Sequence, residues 1–217
     1  MFKAFLRLFS TYGLLILGIS NLSASAHAQT LAKTIQGVGF GDSLMVGYQL
    51  TNGEGFTDQL QQALIAKGYD VTITNAGVSG DTSSGGLARL DWSVPDTTDF
   101  VILELGANDA LRGISPDITR QNLDQMIIGL KARSIDVVLV GILAPPNMGV
   151  NYENQFNPIY AELAQKHNIP LYPFFLEGVI TEPTKLLSDG MHPNPEGVKT
   201  MVEGFLPTIL AYLEKRS

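Results

Sequence analysis

The chain contains no cysteine. It can therefore hold no disulfide, no thiolate-ligated metal, no thiol nucleophile and no lipidated cysteine. Positive charge is also scarce, with 14 Lys and Arg against 21 Asp and Glu and a formal net charge of −7. That balance argues against nucleic acid or an anionic membrane as the main partner. Long apolar runs are missing too. The most apolar stretch, Leu14 to Ile19, falls well short of the roughly 20 residues a membrane-spanning helix needs. Aromatic surface of the kind that stacks on sugar rings is thin, since Trp92 is the one tryptophan. Histidine is limited to His27, His167 and His192, which narrows where acid–base chemistry near neutral pH can sit.

What the N-terminus does have is the pattern of a secretory signal peptide. Lys3 and Arg7 precede the apolar centre, and Ala26-His27-Ala28 is a small-x-small cleavage site. Cleavage after Ala28 divides the chain into a leader, 1–28, and a mature domain, 29–217. Removing 28 of 217 residues leaves 189, the size of one domain. Losing two positive charges moves the net charge from −7 to −9. The expected address is the bacterial periplasm or the medium, between which the sequence does not choose. It does not fix the oligomeric state either, and a monomer is the expectation.

Along the mature domain, apolar runs alternate with amphipathic stretches. Strands are expected at Ile35–Phe40, Val71–Thr74, Phe100–Leu105, Val137–Leu143 and Pro170–Tyr172. Helices are expected at Gly55–Ala66, Asp117–Arg133, Asn154–His167 and Glu196–Leu213, with Pro158 and Pro207 disturbing the last two. Trp92 reads as part of a loop. Strands separated by helices make an α/β fold with a parallel sheet covered on both faces. Ligands of such folds bind outside the carboxyl ends of the strands.

Four short segments follow strand runs or lie in late loops. The first, Gly41-Asp42-Ser43-Leu44, leaves the first strand where Gly39 and Gly41 allow a tight turn. Ser43 is a candidate nucleophile, and such a hydroxyl needs an adjacent base. Asp42-Ser43 also has the makings of a simple helix cap. His27 leaves with the leader, and His167 reads as a solvated charge at a helix C-terminus. His192 remains as the base. Asp189 lies three residues before it in Asp189-Gly190-Met191-His192-Pro193. In a turn, that carboxylate can hold one ring nitrogen while the other faces Ser43. It can equally cap the turn through backbone N–H groups.

Acyl transfer also needs donors for a tetrahedral oxyanion, each worth about 3–4 kcal/mol. Asn108, in Gly106-Ala107-Asn108-Asp109, offers an amide NH₂. Gly80, in Ser79-Gly80-Asp81, offers a backbone N–H with no Cβ in the way. The Ser43 N–H is the third. Gly-rich and Asn-Asp segments also make ordinary turns, so each motif alone leaves its alternative open.

Together the segments resemble the GDSL, or SGNH, hydrolase family, whose serine, glycine, asparagine and histidine match Ser43, Gly80, Asn108 and His192, with Asp189 completing a triad. Ser79 to Thr82, Gly86-Leu87-Ala88-Arg89-Leu90, Glu104 to Gly113 and Pro173-Phe174-Phe175 are similar to the bacterial thioesterase I / lysophospholipase L1 / arylesterase group. The resemblance spans roughly Ile35 to Leu213. It implies a three-layer α/β/α, flavodoxin-like fold with a mainly parallel five-stranded sheet. It implies a serine esterase that needs no metal and no cofactor and acts on aryl esters, lysophospholipids and acyl thioesters. It further implies that Ala144 and Pro145 line the acyl side of the cleft, and Met191, between the two triad members, is expected to face it. A carbohydrate O-deacetylase on the same fold is the alternative within the class, and a periplasmic anion-binding module the alternative outside it. The acids Asp42, Asp81 and Asp109 oppose anion binding, and the lone Trp92 leans against sugars.

The exported protein is expected to begin at Gln29. Intact-mass analysis of protein recovered outside the cytoplasm checks this, and a chain that retains Met1 to Ala28 there would contradict it.

Overall fold

The structure is a computed structural model and describes residues 33–216. The expected leader and its cleavage site lie outside the described residues. Five strands form one sheet: β1 (Ile35–Gly41), β2 (Val71–Gly77), β3 (Phe100–Glu104), β4 (Asp136–Val140) and β5 (Leu171–Tyr172). Their order is β2-β1-β3-β4-β5, and every pairing is parallel. This is the flavodoxin-like order expected, with the topological switch between β1 and β3.

The strand sequences explain their places. β3 lies between β1 and β4, and all five of its residues are buried. Hence it reads as a continuous apolar run rather than an alternating one. One face of the sheet is covered by α2 (Phe56–Ala66) and α8 (Pro195–Arg216), which pack on each other. Phe56 meets Phe175 and Phe205 edge-on, with ring centroids 4.7 and 5.5 Å away, the geometry aromatic quadrupoles prefer. The other face is covered by α3 (Ser83–Ser93), α5 (Pro116–Ala132) and α7 (Ile159–His167). α5 buries Leu123, Met126, Ile127 and Leu130, an i, i+3, i+4, i+7 stripe. Burying each such side chain contributes about 1.5–3 kcal/mol. Among the described residues, no helix is long and apolar enough to cross a membrane.

Several boundaries differ from expectation for identifiable reasons. β2 runs on to Gly77 because Asn75, Ala76 and Gly77 pair with Gly39, Phe40 and Gly41, although none is β-branched. Gly39 and Gly41 accordingly lie inside β1, and the turn begins at Asp42. β4 stops at Val140. The Gly141 N–H still donates to the Tyr172 carbonyl at 2.8 Å, and Ile142 and Leu143 then leave the sheet. The expected helix Asn154–His167 is two helices, α6 (Val150–Phe156) and α7, separated at Pro158, which has no N–H to continue the ladder. α8 instead continues through Pro207. Its start is fixed by Asn194, whose side-chain oxygen accepts from the Glu196 and Gly197 N–H groups. α3 has no counterpart among the expected helices, and Trp92, expected in a loop, lies on it, 76% exposed.

Two short helices open at the carboxyl edge: α1 (Ser43–Val46) after β1 and α4 (Ala107–Leu111) after β3. Beneath them lie two fully buried acids. Asp42 Oδ1 accepts from the Leu44 N–H at 3.0 Å, and its Oδ2 accepts from the Asn108 amide at 3.1 Å. Glu104 Oε2 accepts from the Asp42 N–H at 3.2 Å, while its Oε1 has no hydrogen-bond partner among the described residues. Burial pushes the Asp42 carboxyl up to about 6 against the pull of these N–H donors. Burial, with Asp42 beside it, pushes Glu104 well above the usual carboxylate range.

The pH dependence follows with a definite sign. A carboxyl raised by folding favours the folded state while protonated, and that contribution is lost as pH rises through its folded value. Asp42 therefore stabilises the fold below about pH 4 and loses this contribution as pH passes about 6. Asp42→Asn removes the loss while changing the local hydrogen bonds by a constant amount. The melting temperature of the variant, relative to the parent, is expected to climb between pH 4.5 and 7.5. Melting curves across that range check it, and a pH-independent difference would refute it.

Candidate active site

Three loops converge on the carboxyl edge between β1 and β3. Ser43 is the first residue of α1, so its N–H has no intrahelical acceptor. Asp42 caps that helix, so the helix-cap alternative is true of Asp42 and leaves Ser43 available. Asn108 is in the first turn of α4, after β3. Gly80 lies in the turn after β2 at φ +83°, a left-handed conformation that favours glycine. The turn is closed by Asp81 N–H donating to Val78 C=O at 3.1 Å.

The fourth segment comes from the loop before α8. His192 Nε2 is 2.9 Å from Ser43 Oγ, across 149 residues of sequence. His192 Nδ1 is 2.7 Å from Asp189 Oδ2. The other oxygen of Asp189 accepts from the Met191 and His192 N–H groups at 2.9 and 3.0 Å. Asp189 thus both caps the turn and faces the imidazole. The backbone N–H groups of His192 and Met191, with the His192 ring, hold its carboxyl down to about 2. It stays ionised through the whole neutral range, suited to a ring whose other nitrogen exchanges a proton.

Gly80 and Asn108 line the same cleft as Ser43. Among the described residues no acceptor is found for the N–H groups of Ser43 or Gly80. Asn108 uses one of its two amide N–H bonds on Asp42, and the second remains for a ligand. The Gly80 carbonyl is turned away and accepts from Arg112 at 2.8 Å.

These groups open onto a cleft of about 690 Å³. It contains Ala144, Pro145 and Met191, as expected, together with Ser43, Gly80, Asn108 and His192. Leu143, in the same loop as Ala144, lines it too, whereas Leu111, Leu176 and Ile180 complete an apolar wall that no local pattern announces. Nor does one announce Tyr48, whose ring lies 4.5 Å from the His192 ring, centroid to centroid. Nothing in a run such as Gly-Tyr-Gln-Leu marks a residue for that contact. His167 is far from solvated. At the end of α7 its side chain is 10% exposed and Nε2 lies 2.6 Å from Asp124. It is therefore a structural histidine, outside the cleft, and the selection of His192 stands on geometry.

Comparison with known proteins identifies the family. Residues 40–199 match the model of the GDSL-like Lipase/Acylhydrolase family. The chain is 42% identical to an arylesterase of Vibrio mimicus over 190 residues, covering 87% of this chain and 94% of that protein. It is 39% identical to the thioesterase 1/protease 1/lysophospholipase L1 of Escherichia coli K12, covering 71% of this chain and 73% of that protein. The crystal structure of AlinE4, an SGNH-hydrolase family esterase, superposes with a TM-score of 0.71 at 41% identity, covering 85% of this chain and 99% of that one. A family match across most of the domain, and a 42% identical relative covered almost end to end, show that the chain belongs to the GDSL-like lipase/acylhydrolase family.

Proposed function

We infer that the protein is an exported serine esterase that hydrolyses carboxylic esters and thioesters through an acyl-enzyme on Ser43. The observation that carries this reading is the unbroken line Asp189–His192–Ser43, with contacts of 2.7 and 2.9 Å. His192 Nε2 takes the Ser43 hydroxyl proton as Oγ attacks the acyl carbonyl carbon. Asp189 fixes the ring and offsets the imidazolium charge. The N–H groups of Ser43 and Gly80 and the Asn108 amide receive the oxyanion. Collapse of the tetrahedral species expels the alkoxide or thiolate, which takes the proton from His192 Nε2. Water, deprotonated by the same nitrogen, then attacks the acyl carbon and frees Ser43.

The cleft wall supports an acyl chain over a sugar. Leu111, Leu143, Leu176 and Ile180 offer apolar contact, and Trp92, on α3, does not line it. Aryl esters, lysophospholipids and acyl thioesters all present such a chain beside a reactive carbonyl. The leader-like N-terminus favours action in the periplasm or outside the cell, where lysophospholipids and exogenous esters are more accessible than acyl-CoA.

Ser43→Ala is expected to lower kcat on a short p-nitrophenyl ester by at least about 10⁴-fold, and near-parental turnover would sink the assignment. Asn108→Ala is expected to cost about 10²–10³-fold in kcat, measured in the same assay. The rate is also expected to rise from pH 5 to 8, since the base must be neutral while Asp189 remains charged. Asp42 loses its proton in the same window, at about 6, so the profile is compared with that of Asp42→Asn. A flat profile in both proteins would remove His192 as the base.

A further inference from the structure

Arg89 belongs to a segment that carried the family resemblance, yet it has no place in the reaction above. It does not line the cleft. It is a charged residue only 6% exposed, which is tolerated only where the charge is fully partnered. Its partners are specific. Nε donates to the Asp81 carboxylate at 2.5 Å. Nη1 donates to the Ala76 carbonyl at 2.8 Å and to Ser93 Oγ at 3.3 Å. Nη2 donates to the Gly41 carbonyl at 2.9 Å. The guanidinium carbon stands 4.0 Å over the Phe40 ring, a favourable cation–π placement.

Three of these partners lie at the strand ends leading into the two loops that carry the backbone oxyanion donors, or on one of those loops. Gly41 is two residues before Ser43. Ala76 is near the end of β2, and Asp81 directly follows Gly80. The Gly41 carbonyl accepts a second bond, from the Val78 N–H at 3.0 Å. Gly80 is thus gripped on both sides, through Val78 to Gly41 and through Asp81 to Arg89. A planar fork with donors at fixed angles sets distances between the groups it bonds. α3 comes near enough for Arg89 to reach because Gly86 packs against the sheet edge, where a Cβ would fall 2.2 Å from Leu105 Cδ1.

We propose that Arg89 is a positioning residue of the oxyanion hole, its guanidinium fork setting the separation of the Ser43 and Gly80 N–H groups. This rests on the reading that those N–H groups receive the oxyanion. Arg89 touches no substrate and acts through the Gly41 carbonyl and the Asp81 carboxylate. A misplacement on the order of 1 Å at such a site costs about 10²-fold in rate. The loss falls on kcat, because the donors are aimed at the oxyanion and not at the ground-state carbonyl.

Arg89→Lys keeps the cation for Asp81 but cannot bond both carbonyls. In the mature enzyme it is expected to lower kcat about 100-fold with KM changed by less than about threefold. Labelling of Ser43 by a p-nitrophenyl phosphonate should slow by the same factor, since the phosphonyl oxygen occupies the oxyanion position. Asp81→Asn, which leaves the fork in place but unanchored, is expected to lower kcat about tenfold with the same split. Parental kcat and labelling rate in Arg89→Lys, assayed well below its melting temperature, would overturn the proposal and leave a structural ion pair. A change confined to KM would overturn it too. Should Arg89→Lys fail to fold, Asp81→Asn decides on the same readouts. Ser43→Ala separates the two levels. If it stays active, the oxyanion reading falls with the Arg89 proposal. If it is inactive while both Arg89→Lys and Asp81→Asn behave like the parent, only the Arg89 proposal falls.

Discussion

β1 and β3 are neighbours in the sheet, but the chain leaves them toward opposite faces, to α2 on one side and α5 on the other. That divergence opens a gap at the carboxyl edge which no helix fills. Everything described at the site is arranged around it. Ser43 stands on one lip and Asn108 on the other. The Gly80 turn joins from β2, which pairs with β1 residue for residue up to Gly41–Gly77. The loop before α8 then has only to reach over the gap to bring His192 to the serine.

The gap is held by polar groups that are expensive to bury. Asp42 links the two lips, taking one bond from Leu44 and one from Asn108. Glu104 takes the Asp42 N–H from below. Among the described residues neither acid has an ion-pair partner, and burial raises both. Beside them Arg89 makes four bonds from nearly complete burial. An apolar filling of similar volume would be less costly, but it would not fix backbone N–H groups to within a fraction of an ångström. The stability lost in these buried charges is exchanged for definition of geometry at one spot.

Much of this was legible in the sequence because it rests on local patterns. Strand existence followed from apolar runs, and β3 was placed to within a residue. Ser43, Gly80, Asn108, Asp189 and His192 were each found from short motifs, and the structure brings all of them together. What escaped detection lacked a local signature. α3 carries Gly85-Gly86 in its first turn, residues of poor helix propensity, and its stability comes from packing on α5. The end of β4 was misplaced because Ile142 and Leu143 are as apolar as the strand they leave, and serve the cleft instead. His167 looked solvated because its partner, Asp124, lies 43 residues away. Tyr48, Leu176 and Ile180 are ordinary residues made important by tertiary contacts alone.

Asp189 and His192 occupy a single four-residue turn, whereas Ser43 lies 149 residues from His192 in the chain. The three residues are therefore joined by one short-range link and one long-range link. Asp189 and His192 move as one body: any swing of that loop carries the ring and its carboxylate together. The contact between them is insensitive to how well the rest of the domain is closed. The serine–histidine contact, in contrast, reports directly on that closure. On the function inferred above, activity depends on that closure more than on the turn that holds the ring.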